Sequence, residues 1–63
     1  MPMTGKEMIK LLQKHGWQVI RIKGSHHMMK KEGSQENISI PVHGNQPLGR
    51  GLENDILKKA KLK

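Results

Sequence analysis

Apolar Met8, Leu11 and Leu12 recur at helical spacing near the start of the chain, and Thr4 followed by Glu7 forms the capping-box pattern that opens a helix. The pattern predicts a first helix from about Gly5 to Lys14, with Gly16 placed to end it in the left-handed conformation. The period then changes. Trp17 to Ile22 (WQVIRI) is rich in β-branched and aromatic types, Lys23-Gly24 offers a turn, and Ser25 to Lys31 reads as the returning strand of a hairpin. After the polar loop Glu32-Gly33-Ser34-Gln35, the segment Asn37 to Val42 (NISIPV) alternates strictly and puts Ile38, Ile40 and Val42 on one face. Pro41 carries no amide proton, which suits an edge strand or a strand end. His43 to Pro47 reads as a loop, and from about Gly51 onward Leu52, Ile56 and Ala60 recur every fourth position, with Leu57 adjacent, as on the buried stripe of a second helix.

The order helix, strand, strand, strand, helix predicts an α+β sandwich: a three-stranded antiparallel sheet with both helices on one face and the other face free. Order and size match the double-stranded-RNA-binding fold. The 63 residues, of which 33% are hydrophobic, read as one domain spanning 1–63, with a core small enough that stability should be only about 3–5 kcal/mol. Trp17, placed just after the first helix, is expected in that core.

Composition narrows the partners. Twelve Lys and Arg against five Asp and Glu give a formal net charge of +7, a field that favours a polyanion such as RNA or DNA, or an acidic protein. Lys58, Lys59, Lys61 and Lys63 crowd the end of the second helix, where the helix dipole favours cations as much as a nucleic acid would. The chain has no cysteine, so it offers neither a disulfide framework nor a thiolate zinc site, and a reducing cytoplasmic setting is expected. No apolar run approaches the roughly 20 residues of a membrane helix, and MPMTGKEM lacks the basic-then-apolar pattern of a signal peptide, so no membrane association is expected and the mature chain should start at Met1.

The candidate chemistry lies in Lys23 to Lys31 (KGSHHMMKK). His26 and His27 are neighbours on a predicted strand and should point to opposite faces, so they cannot readily share a metal; His15 and His43 lie elsewhere, and no metal or other cofactor is expected. An imidazole with an ordinary pKa of about 6.5 can take up a proton and return it near neutrality. In RNA the 2′-hydroxyl is an internal nucleophile already close to phosphorus, so a base and cations suffice without a metal. Lys23, Lys30 and Lys31 supply cations around the histidines, and Gly24 permits close backbone approach to a bulky anion.

The chain as a whole resembles the HicA-type toxins of bacterial toxin–antitoxin systems, the YcfA-like mRNA interferase family. The resemblance covers almost all 63 residues and rests on Met3 to Leu12 (MTGKEMIKLL), Lys14 to Trp17 (KHGW), Lys23 to His26 (KGSH), Ile38 to Gly44 (ISIPVHG) and Gly51 to Leu62 (GLENDILKKAKL). It implies that His26, in the Gly-Ser-His element, is the histidine of RNA cleavage. His27 is the alternative, because some members carry an extra residue between the glycine and the critical histidine. Gly24 and Ser25 become the turn that presents it, and His43 a possible phosphate contact.

The function so implied is a sequence-relaxed endoribonuclease that cleaves mRNA and is neutralised by a HicB-type antitoxin covering the histidine face. The free toxin would be a monomer and the antitoxin complex a higher-order one. Two departures from the family pattern stand out: Leu52 follows Gly51 where a threonine is usual, and Lys61 follows Ala60 where a glycine is usual. Helix two should therefore begin earlier or end less sharply. Two rival readings use the same residues: a non-catalytic RNA-binding module, and a small DNA-binding or protein-interaction domain. Salt-sensitive binding without product marks the first, and preference for duplex DNA the second.

Overall fold

Thr4 opens the first helix as its sequence predicts. In the computed structural model, which describes residues 3–63, the Glu7 amide donates to Thr4 Oγ1 at 3.2 Å and the Thr4 amide to Glu7 Oε1 at 2.9 Å. Two orphan amides of the first turn are thereby satisfied. The expected start of the mature chain at Met1 lies outside the described residues. Helix α1 spans Gly5–Lys14 and gives way at His15 to Gly16, whose φ of 93° is the left-handed conformation anticipated there.

Three strands and a second helix follow: β1 Trp17–Lys23, β2 His26–Lys31, β3 Asn37–Pro41 and α2 Arg50–Lys59. The strands form one antiparallel sheet in the order β1-β2-β3, with β2 central. This is the predicted α-β-β-β-α architecture. Pro41 is the last residue of an edge strand, where its missing amide removes no bond from the ladder.

One face of the sheet carries the core. Met8 and Leu12 of α1, Trp17, Met29, Ile38 and Ile40 of the sheet, and Ile56 and Ala60 of α2 form a single buried cluster. The helical contributors sit four residues apart, and the β2–β3 register sets Met29 opposite Ile38, so both periods aim at one centre. Enclosing each of the larger side chains contributes about 1.5–3 kcal/mol. Leu52 departs from the expected buried stripe: it lies in the first turn of α2 and stays exposed, while Ile56 and Ala60 further along the helix meet the core.

Two backbone details hold the helices in place. Gly5 is buried at the start of α1, and a Cβ there would collide with the Pro41 carbonyl oxygen, so only glycine lets the helix approach the end of β3 this closely. On the other side, the Met3 amide donates to Glu53 Oε1 at 2.8 Å, and the Leu48 amide to the Met3 carbonyl at 2.8 Å, tying the segment before α1 to α2.

The ends of α2 bear out one departure and correct the other. The helix starts at Arg50 after Gly49, with no side-chain cap, one residue before the Gly51 from which the sequence predicts it. Its C-terminus, however, is sharp. The Lys61 amide donates to the Lys58 carbonyl at 3.0 Å and the Leu62 amide to the Leu57 carbonyl at 2.9 Å, the paired bonds of a Schellman stop. Lys61 takes the left-handed conformation (φ 60°) that the family leaves to glycine.

Candidate functional site

The face of the sheet turned away from the helices is built in cross-strand rows. Lys23, His26 and Pro41 form the first, Arg21, Met28 and Ser39 the second, and Gln18, Lys30 and Asn37 the third. A β-bulge decides this membership. Val19 pairs with Met29 and Arg21 with Met28, which leaves Ile20 over. Strict alternation from buried Trp17 would have sent Arg21 and Lys23 beneath the helices; the extra residue reverses the phase and delivers both to the outer face beside His26. The bulge also leaves Ile20 exposed, and Ile22, although paired with His27, lies 61% exposed near the hairpin end.

The two histidines separate as strand geometry requires. His26 opens β2 on the outer face and is exposed. His27 is half-buried on the core face, between Ile22 of β1 and Ile40 of β3, and its Nδ1 is buried without a hydrogen-bond partner among the described residues. Of the two, His26 is the one open to solvent.

Of the other residues singled out in the sequence, Lys23 and Lys30 share the outer face with His26. Gly24 and Ser25 make the turn directly before it, with Gly24 at φ 59° and open space where a Cβ would stand. The Val42 amide donates to the Ser25 carbonyl at 2.7 Å, so the loop beginning at His43 leaves the sheet at the same end as that turn. Lys31 does not join them. It pairs with Trp17 on the core face, lays its stem over Gly16, and lines a separate depression with Lys58, Lys59, Lys61, Glu32 and Glu36.

Charge divides in the same way. Every Asp and Glu of the chain (Glu7, Glu32, Glu36, Glu53 and Asp55) lies on a helix or in the loop between β2 and β3, and none lies on a strand. Arg21, Lys23 and Lys30 therefore face solvent with no carboxylate among them on the sheet, and the combined field attracts phosphate. Beside Arg21 and Lys23 lies a groove of about 220 Å³, lined by these two with His26, Met28 and Ser39. Among the described residues, no three of His, Asp and Glu come together in a set that could hold a metal ion, and no helix is long and apolar enough to cross a membrane.

Arg21, Met28 and Ser39 were not singled out from the sequence. The available signal was the apolar pair Val19-Ile20, which breaks the alternation begun at Trp17 and restarts it out of phase. Once the break is read as a bulge, Arg21 and Lys23 fall on the histidine face.

Two comparisons bear on what this face belongs to. No curated protein matches the chain. A model of the family described as HicA toxin of bacterial toxin-antitoxin matches residues 5–62, from the first residue of α1 to beyond the last turn of α2, and so takes in the whole sheet with its histidine turn. With nearly the full length matched, and the helices and strands in the order expected of it, the chain belongs to the HicA toxin family of bacterial toxin–antitoxin systems.

Proposed function

We propose that the outer sheet face is an mRNA interferase site at which His26 performs acid–base chemistry on an RNA phosphodiester. The observation that carries this reading is the position of His26: exposed, on a face with Arg21, Lys23 and Lys30, and with no carboxylate on any strand to compete for it. RNA laid across that face sets its phosphates against the cations. His26 then either takes the proton of the 2′-hydroxyl, whose oxygen attacks the adjacent phosphorus while water protonates the departing 5′-oxygen, or gives its own proton to that oxygen while water takes the 2′-hydroxyl proton. Either route leaves a 2′,3′-cyclic phosphate on one fragment and a 5′-hydroxyl on the other. Lys23 and Lys30 stabilise the extra negative charge of the phosphorane, and the chemistry needs no metal. Gly24 and Ser25 present the histidine, and His43, leaving the sheet at the same end, is a further phosphate contact.

His27 is a poorer candidate because its ring is turned toward the core, against Ile22 and Ile40. A HicB-type antitoxin that covers the cationic outer face would exclude RNA, and its complementary surface should be acidic. We take the free toxin to be a monomer that enters a larger complex with that antitoxin. One experiment tests the reading: wild type and His26→Ala are incubated with one end-labelled RNA in EDTA, and binding is measured on the same samples. Cleavage by wild type that is lost in the variant while binding persists supports it; binding by wild type without any cleavage would instead leave an RNA-binding module.

A further inference from the structure

Beside the phosphate-facing cations, the outer face has a second kind of surface. Met28 is half-buried in the middle of it, flanked by Arg21 on β1 and Ser39 on β3, and these three with Lys23 and His26 enclose the groove of about 220 Å³. Pockets for drug-sized ligands run about 300–1,000 Å³. The space here matches the size of one ring system.

The lining indicates which fragment that is. A phosphate over Met28 would give up hydration against a thioether that donates no hydrogen bond in return. A flat heteroaromatic ring gains a polarisable contact with the same sulfur, and the Arg21 guanidinium can stack on its face. The Ser39 hydroxyl both donates and accepts, so it can bond to a base edge. His26 and Met28 are two positions apart on one strand and on the same face, about 7 Å along it, so the groove adjoins the place where the reacting phosphate would lie.

We propose that the Arg21–Met28–Ser39 groove is a nucleobase subsite that holds the base next to the phosphate at His26 and gives cleavage a preference for one base at one position. The inference rests on the ribonuclease reading of His26 and adds what that site selects.

Its occupant is tested without cleavage. Wild type labelled with ¹³C at its methionine methyls is titrated with each of the four ribonucleoside 5′-monophosphates and, separately, with ribose 5-phosphate, which has the sugar and phosphate but no ring. A ring-current shift of the Met28 methyl with at least one nucleotide, and none with ribose 5-phosphate, is the expected result. Equal shifts with both, or no Met28 shift with any nucleotide, would overturn the subsite.

Mapping the cut ends of a random-sequence RNA then reads its consequence. Wild type should show a preference of roughly 2- to 10-fold at one position, the worth of about one hydrogen bond, flattened by Ser39→Ala and by Met28→Ala. A flat wild-type map, or a preference untouched by both substitutions, overturns the subsite while the His26 assignment stands. Loss of all cutting in His26→Ala speaks to that assignment alone. An uncut library would sink the ribonuclease reading, and the methyl titration then decides the groove by itself.

Discussion

The two faces of the sheet are made from the same three strands and differ in almost everything else. Met29, Ile38 and Ile40 on one face are fully buried or nearly so and exclude water; His26, Met28 and Lys30 of the same central strand stand on the other, among Arg21 and Lys23. Neighbouring residues of β2 thus stand in unlike surroundings, and the pair His26-His27 is divided by that boundary. In so small a chain the core cannot spare a face for polar groups, and the proposed chemistry could not be moved into the core without leaving charged groups unsolvated. The alternation of a β-strand lets one segment serve both needs.

Breaking the inner face should cost folding, and breaking the outer face should cost activity. Ile40→Ala removes a fully buried side chain and should cost about 2–5 kcal/mol, most of what a domain of this size has, so thermal melts followed by circular dichroism should show a largely unfolded protein near room temperature. A smaller cost is expected where α1 meets β3. Gly5→Ala drives a methyl group into the Pro41 carbonyl oxygen, and denaturant titration should find about 1–3 kcal/mol lost despite alanine's better helix propensity.

On the outer face, Lys30→Ala should leave the melting temperature unchanged and weaken RNA binding. The logarithm of affinity should fall less steeply with that of salt concentration, by about 0.7 if one phosphate contact is lost. The smallest effect has the opposite sign. Lys61→Gly relieves a left-handed lysine at the Schellman stop and should raise stability by up to about 1 kcal/mol, seen as a higher melting temperature.

The strength of the local signals explains what could be read from the sequence. Thr4 with Glu7, Gly16, and the strict alternation of Ile38 and Ile40 each express a single physical requirement, and each element they mark forms where expected. Strand periodicity alone sends His26 and His27 to opposite faces. The bulge at Ile20 was harder, because a one-residue insertion has no composition of its own and shows only as a lost phase; without it Arg21 falls on the wrong face and the groove cannot be assembled. Lys31 failed for the complementary reason: it lies close to the histidines in sequence, yet an odd number of residues from His26 puts it on the core face. Met3 and Glu53, joined by a hydrogen bond across 50 positions, carry no local signal at all.

The most direct test compares His26→Ala and His27→Ala side by side, each measured for RNA cleavage and for thermal stability on one preparation. His26→Ala should lower cleavage by about 10²- to 10⁴-fold, the usual worth of acid–base catalysis, with its melting temperature intact. His27→Ala should keep cleavage and shift the melting temperature instead. Cleavage retained in His26→Ala and lost in a folded His27→Ala would contradict the division of the sheet into a folding face and a chemical face.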